Sequence, residues 1–100
     1  MIKIKVIYDD SYVKSVRITG HAMYDVKGKD IVCASVSTLA ISSINLCISL
    51  DETAISYKDD EGLLEINVLK KDGVINNVLL NMINMFKELE KDYSKNIKFI

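Results

Sequence analysis

Residues 20–37 read GHAMYDVKGKDIVCASVS, and this stretch organises the rest of the chain. It holds the single histidine, His21, and the first of two cysteines, Cys33. The polar segment 20–29 predicts a loop, and Asp30 is followed by small and apolar residues without a charge until Asp51. An aspartate directly before such a run is typical of a helix N-cap. The stretch therefore predicts a loop that leads into a long helix, with a thiol in the first helical turn.

Alternating apolar and polar residues lie on both sides of this loop and helix. Residues 1–8 and 12–19 each alternate and are rich in β-branched side chains, which predicts a β-hairpin with a turn at 9–11. After the helix over 31–50, the pattern predicts a strand at 53–57, a charged turn at 58–62, a return strand at 63–69, an amphipathic helix at 74–91 and a short strand at 96–100. The order β-β-α-β-β-α-β predicts an α+β fold in which two helices pack on a mixed or antiparallel sheet.

The composition describes a single domain, residues 1–100, that is large enough to bury a core without disulfides or metal. The formal net charge is −1 and the longest basic run is Lys70-Lys71, so we expect no direct binding of nucleic acid, which needs a basic face. Two cysteines are too few for a disulfide framework. We therefore expect a cytoplasmic protein with reduced thiols and no signal peptide.

Neither a membrane segment nor a metal site is expected from the sequence. No apolar run approaches the roughly 20 residues that cross a bilayer. One histidine and two cysteines do not make a standard zinc site.

The helix predicted over 31–50 is apolar or small around most of its circumference. Its polar positions are five serines, one threonine and one asparagine, and no charge lies between Asp30 and Asp51. Such a helix is buried on most faces, and in a domain of this size a second subunit could supply part of that burial.

His21 and Cys33 lie twelve positions apart, one at a strand end and the other in the first turn of a helix. A loop of this length can bring them to hydrogen-bond distance, and a thiol beside an imidazole at a helix N-terminus forms a thiolate–imidazolium pair. Backbone N–H groups at the helix start would then hold an oxyanion. The other interpretation is that His21 is a solvated loop residue and Cys33 a small core residue, and spacing alone leaves both open.

Three further residues have a structural and a functional interpretation. Asp30 either caps the helix or orients His21 as the third member of a triad, and these roles conflict in part because a carboxylate beside Cys33 disfavours the thiolate. We favour the cap, because an aspartate followed by an apolar run is the usual start of a helix. Ser37 lies one turn after Cys33, where it hydrogen-bonds near the site or only to its own helix. Cys47 lies on the same helix face as Cys33, too far along it for a disulfide, and is predicted to fill the core.

The motif formed by Gly20-His21-Ala22, Gly28 and residues 30–37 (DIVCASVS) resembles that of the ribosomal-processing cysteine protease family, Prp. The resemblance implies a cysteine endopeptidase without a cofactor, in which Cys33 is the nucleophile and His21 the general base. It also implies homodimers and a substrate-binding loop, for which Gly20, Ala22, Tyr24 and Gly28 are the candidate residues. The expected reaction removes a short N-terminal extension from bacterial large-subunit ribosomal protein number twenty-seven, after a hydrophobic stretch that contains aromatic residues.

The chain departs from the family pattern at two positions of the motif. Ser35 replaces the usual alanine, which is a change between small residues that we expect the site to tolerate. Met23 stands where glycine commonly follows Gly-His-Ala, and we expect it to stiffen the loop.

Two other classes of function compete with the protease. A non-catalytic ribosome-assembly or RNA-binding module would bind RNA in a salt-sensitive way without cleaving a peptide, and the acidic composition argues against it. A structural dimerisation protein would leave His21 and Cys33 incidental. In that case Cys33 would react with iodoacetamide as slowly as Cys47.

Overall fold

The computed structural model describes residues 1–100, which form two helices and one five-stranded sheet. The elements are, in chain order, β1 (Ile2–Asp9), β2 (Tyr12–Thr19), α1 (Ile31–Leu50), β3 (Ile55–Asp60), β4 (Leu63–Val68), α2 (Gly73–Asp92) and β5 (Ile97–Phe99). The α+β fold and the order of elements predicted from the sequence are confirmed. The bounds of β2 and α1 agree with the prediction, and the other elements differ from it at one or both ends.

The strands form a mixed sheet in the order β3-β4-β2-β1-β5. The neighbours are antiparallel except for β1 and β5, which are parallel. Along β1, Ile2 and Ile4 are buried while Lys3 and Lys5 are exposed, so alternate side chains point to opposite faces. The two helices cover the buried face, and the other face of the sheet is open.

The prediction of a charged turn over 58–62 is wrong, because β3 continues to Asp60. Only Glu61 and Gly62 form the turn between β3 and β4. As an edge strand, β3 pairs on one side only, so exposed charged side chains are compatible with its pairing. Because the β3–β4 hairpin is longer than predicted, its turn lies at the end of β2, where the Gly20 N–H donates to the Gly62 carbonyl at 3.0 Å.

The core is a cluster of 20 buried residues drawn from both helices and the sheet. α2 places its apolar residues at helical spacing on the side that faces this cluster: Ile75, Leu79, Met82, Ile83 and Phe86. The Asp72 side chain caps α2 by accepting hydrogen bonds from the backbone N–H groups of Val74 and Ile75. The amphipathic helix that the sequence predicts is therefore present.

α1 is long and apolar enough to span a membrane by length and composition alone. The expectation that no apolar run reaches this length is therefore wrong. The serines, threonine and asparagine of α1 lower its mean hydropathy, but they do not interrupt the helix. One side of the helix lies in the core, and its buried apolar residues are Val32, Val36, Ala40, Ile44 and Cys47.

The open face of the sheet gathers basic residues that are far apart in the sequence. Lys5 lies opposite Arg17 on β2, and Lys3 lies opposite Lys98 on β5. All four side chains are exposed, and Arg17 has a carboxylate, that of Glu65, at 4.0 Å. The longest run of basic residues in the sequence is Lys70-Lys71. Such runs therefore underestimate how many basic side chains the fold brings together.

Candidate active site

Cys33 lies in the first turn of α1, where its side chain is partly exposed. The Asp30 carboxylate caps this turn: its Oδ1 accepts hydrogen bonds from the backbone N–H groups of Val32 and Cys33, both at 3.0 Å. The cap fixes the position of the thiol at the end of the helix that carries positive partial charge.

The chain turns at Gly20 as it leaves β2 for the loop. Gly20 has a φ of +85°, and a Cβ at this position would collide with the carbonyl oxygen of Met1. Only glycine combines this backbone conformation with this close approach. The turn sets the direction in which the next residue, His21, leaves the sheet.

His21 is exposed and lies against the β3–β4 turn. Its Nε2 atom is 3.5 Å from the position that a Cβ on Gly62 would occupy. No hydrogen bond joins His21 to Cys33, but both side chains line the same two clefts. The structure thus places imidazole and thiol at one site without a hydrogen bond between them, as is often found for catalytic pairs in the absence of substrate.

The backbone of Ala22 contacts the sulfur directly. Its N–H donates to Cys33 Sγ at 3.3 Å, and its carbonyl accepts a hydrogen bond from Asn96 Nδ2 at 2.9 Å. The Ala22 side chain is 1% exposed and belongs to the core. Ala22 is thus the last buried point before the exposed loop.

Residues 23–29 of the loop are all exposed. The Tyr24 ring packs edge-on against Tyr93 with centroids 5.4 Å apart, and Gly28 has a φ of +90°. Met23 has a φ of +56°, in the left-handed region that favours glycine. The glycine of the family pattern therefore suits this backbone, and methionine at this position carries strain of about 1 kcal/mol.

Two clefts meet at the sulfur. The larger, with a volume of about 590 Å³, lies on the loop side, where Met23, Lys27 and Gly28 are among its lining residues. The smaller, of about 220 Å³, lies on the side of β3 and β4 and is lined by apolar residues such as Ile18 and Leu64. Since His21, Cys33 and Ser37 line both, an extended peptide that crosses the sulfur would enter one cleft on each side.

Asp30 accepts hydrogen bonds from the loop as well as from the helix, but none from His21. Its Oδ2 accepts hydrogen bonds from the N–H groups of Tyr24 at 3.0 Å and Asp25 at 3.3 Å. Burial raises the pKa of the Asp30 carboxyl, but the four N–H donors, led by that of Cys33, outweigh burial and hold the pKa below its usual value. Asp30 therefore acts as a cap and as a tie to the loop, and its carboxylate does not orient the imidazole.

Three of the helix-start amides that would hold an oxyanion are already occupied. The N–H groups of Val32 and Cys33 donate to the Asp30 side chain, and that of Ala34 donates to the Asp30 carbonyl at 3.0 Å. This arrangement contradicts the interpretation of these amides as free donors, because an N-cap uses the same groups. The Ala22 N–H is the backbone donor that points at the sulfur.

The other residues singled out in the sequence have clear positions. Ser37 is exposed and lines both clefts, whereas Ser35 donates to the Ile31 carbonyl at 2.7 Å within its own helix. Cys47 is fully buried, and burial raises the pKa of its thiol. The Cys47 thiol is therefore inert compared with a cysteine that lines a cleft.

Sequence reasoning missed the residues that approach the site from distant segments. Glu61 lines the same cleft as His21, Gly62 lies next to the His21 ring, and Asn96 donates a hydrogen bond to the Ala22 carbonyl. No local pattern marks them, because their proximity depends on strand pairing.

Replacing Asp30 with asparagine is expected to loosen the loop while keeping the helix cap. An amide oxygen still accepts from Val32 and Cys33, but the amide nitrogen cannot accept from Tyr24 or Asp25. Since the folded pKa is depressed, the carboxylate stabilises the fold above its unfolded pKa, and this stabilisation is lost as pH falls through the folded pKa. The variant should melt about 5 °C lower near neutral pH and match the parent in strong acid.

Thermal melts at both pH values test this expectation, with Asp59→Asn, an exposed aspartate on β3, as the matched control. A melting difference that stays constant from neutral to strongly acidic pH would contradict it.

Known proteins resemble this chain in sequence and in structure. A relative from Staphylococcus aureus, the ribosomal processing cysteine protease Prp, is 30% identical over 95 residues, which cover 92% of this chain and 90% of the relative. A crystal structure of an essential ribosomal processing protease Prp from S. aureus, in complex with a covalently linked product peptide, is similar with a TM-score of 0.93 and 27% identity over 99% of this chain and 97% of that chain. A second S. aureus Prp structure, in complex with a substrate peptide, gives a TM-score of 0.87 and 26% identity over 100% of this chain and 98% of the other.

The match extends over the whole fold, including the loop and the start of α1. A sequence profile of the family described as cysteine protease Prp covers residues 1–98. With a cysteine at a capped helix start and a histidine on the same clefts, this chain is a cysteine peptidase that belongs to the Prp family.

Proposed function

We propose that this chain is the endopeptidase that removes the N-terminal extension of bacterial large-subunit ribosomal protein number twenty-seven, with Cys33 as nucleophile and His21 as general base. The observation that carries the proposal is the position of Cys33, at the capped start of α1 and open to two clefts that it shares with His21. The S. aureus relatives, described as ribosomal processing proteases in complex with substrate and product peptides, support it.

The proposed reaction has two halves. In the first, His21 takes the proton of the Cys33 thiol, and a sulfur electron pair forms a bond to the scissile carbonyl carbon while the π pair moves to oxygen. The carbonyl then re-forms, the C–N bond breaks, and the leaving amine takes the proton from the imidazolium. In the second half, water attacks the thioester with His21 as base, and the C–S bond breaks to release the new carboxyl end and restore the thiol.

The first proton transfer requires His21 to move closer to Cys33. Its ring rests beside Gly62, and its side chain is exposed and free of hydrogen bonds, so it can rotate without breaking one. Binding of a peptide between loop residues 23–29 and the β3–β4 turn would exclude water and bring the imidazole toward the sulfur. Gly20 and Gly28 supply the bends of this loop, and Tyr24 anchors it to Tyr93.

No metal, cofactor, nucleic acid or membrane takes part in the proposed reaction. We place it in the cytoplasm, because both cysteines are free, as is usual for proteins of reducing compartments, and because its proposed substrate is a ribosomal protein.

Two synthetic peptides test the proposed substrate. One spans the end of the hydrophobic, aromatic-containing extension and the first residues of the mature ribosomal protein, and the other has the same composition in scrambled order. Mass spectrometry should show cleavage of the first peptide at a single bond and no cleavage of the second. Equal rates on both peptides, or salt-sensitive RNA binding by a protein that cleaves neither, would contradict the proposal and favour a non-catalytic module.

We also propose that the protein is a homodimer in which a second copy covers the outer surface of the two helices. α1 carries no charged residue, and exposed apolar side chains from both helices lie along this surface. They are Ile31, Leu46, Leu50, Val74 and Met85. Four of them, Ile31, Leu46, Val74 and Met85, line grooves between the helices. Covering apolar surface of this kind is the main driving force of association.

Replacing Leu46 with lysine is expected to dissociate this dimer, because Leu46 is 49% exposed on α1 and a charge there would be buried in the interface. Sedimentation velocity should give about twice the 11.3 kDa chain mass for the parent and a single chain mass for the variant. Ile7→Lys, at a position 45% exposed on β1, is the matched control and should remain dimeric. A parent that sediments as a monomer would rule out the dimer.

A further inference from the structure

The residue that contacts the sulfur, Ala22, is held at both of its backbone polar groups. Its N–H donates to Cys33 Sγ at 3.3 Å, and its carbonyl accepts from Asn96 Nδ2 at 2.9 Å. The seven residues that follow it are all exposed, so these two hydrogen bonds mark the point where the ordered core ends and the loop begins. The Ala22 carbonyl and N–H belong to adjacent peptide planes that meet at the Ala22 Cα, so holding the carbonyl restricts the backbone that carries the N–H.

Asn96 is itself fixed by its backbone at the junction of three elements. Its N–H donates to the Tyr93 carbonyl at 2.9 Å, just after α2. Its carbonyl accepts from the Ile2 N–H at 2.8 Å, at the start of β1, and β5 begins at the next residue. The side-chain amide therefore reaches Ala22 from a backbone that is already ordered, which lowers the entropic cost of the contact.

The same corner of the fold holds the loop at a second point. Tyr93, three residues before Asn96, packs edge-on against Tyr24, two residues after Ala22. Residues 93–96 therefore contact the chain at Ala22 and at Tyr24, from 74 and 69 positions away in the sequence. Aromatic packing orients the loop, whereas only the Asn96 amide contacts the backbone that reaches the sulfur.

We propose that Asn96 is a positioning residue for the nucleophile, which acts by holding the Ala22 backbone so that its N–H donates to Cys33 Sγ. The Asp30 cap occupies the N–H groups of Val32 and Cys33, and the sulfur accepts its backbone hydrogen bond from the Ala22 N–H. A thiolate is a stronger acceptor than a thiol, so a fixed donor favours the reactive form and orients it toward the clefts. This inference rests on the proposed role of Cys33 as nucleophile.

Two substitutions at Asn96 test the proposal. Asn96→Asp keeps the size of the side chain but presents a carboxylate that cannot donate to the Ala22 carbonyl near neutral pH, and Asn96→Ala removes the side-chain polar groups. Iodoacetamide alkylation of Cys33, followed by mass spectrometry from about pH 6 to about pH 9, reports thiolate reactivity without any substrate. Buried Cys47 serves as the internal reference, and Asn84→Ala, at an exposed position on α2, is the matched control.

Both variants are expected to alkylate Cys33 about 10-fold more slowly near pH 7, with the pH profile of the reaction displaced to higher pH. In peptide cleavage, kcat should fall about 10-fold while KM stays within about 2-fold, and Asn84→Ala should match the parent in both assays.

Parental alkylation profiles in both folded variants would overturn the proposal, even if cleavage fell, because the loss would then be unrelated to the sulfur. Loss of folding in both variants, seen by circular dichroism, would assign Asn96 to the fold alone and also overturn it. Failure of the proposed function has a different signature: the parent would fail to cleave the ribosomal-protein peptide selectively, or Cys33→Ala would still cleave it. The alkylation assay on the Asn96 variants uses no substrate and is read independently of either result.

Discussion

Replacing Cys33 with alanine is expected to lower the rate of peptide cleavage by about 10⁴-fold or more, because the variant has no atom that can form the acyl-enzyme. The side chain is only partly exposed and its neighbours come from the helix cap and Ala22, so the fold should survive the change. Cleavage is measured by mass spectrometry on the ribosomal-protein peptide, and folding is measured by circular dichroism.

The chain supplies its own matched control for this experiment. Cys47 is the other cysteine of α1 and is fully buried, so Cys47→Ala should keep the cleavage rate and lower the stability of the fold by about 1 kcal/mol. A Cys33→Ala variant that cleaves as fast as the parent would show that the reaction uses another nucleophile. Loss of cleavage in Cys47→Ala alone would point to the same conclusion.

Replacing His21 with alanine is expected to lower kcat by about 10³-fold, because the thiol loses its proton acceptor and the leaving amine loses its proton donor. The remaining activity would come from the helix N-terminus and the Ala22 N–H, which the substitution leaves in place. Since His21 is exposed and makes no hydrogen bond, its removal should change the melting temperature by no more than about 2 °C.

Added imidazole separates a catalytic from a structural loss in this variant. Imidazole that enters the cleft should restore part of the cleavage by His21→Ala and none of the cleavage by Cys33→Ala. The chain has no second histidine, so Asn84→Ala serves as the control for a neutral surface change. A His21→Ala variant that keeps kcat within about 3-fold of the parent would remove the imidazole from the mechanism.

The helix that presents Cys33 could be predicted because its signals are local. An aspartate before an uncharged run indicates both the start of α1 and the residue that caps it, and the structure has α1 at Ile31–Leu50 with Asp30 as cap. Alternation likewise indicated the hairpins, since side chains of a half-buried strand must alternate. The bounds of β3 were predicted wrongly, because an edge strand tolerates a charged sequence that otherwise resembles a turn.

Local sequence therefore determined the order of the elements, the cap, and the position of a thiol at the start of an uncharged helix. Only the tertiary structure decided what surrounds that thiol: strand pairing places Gly62 beside His21 and Asn96 on the Ala22 carbonyl, and it gathers basic side chains on the open face of the sheet. Capping and alternation act between near neighbours in the chain and leave a pattern in the sequence. Contacts between residues 74 positions apart depend on the assembled sheet, so no sequence pattern records them.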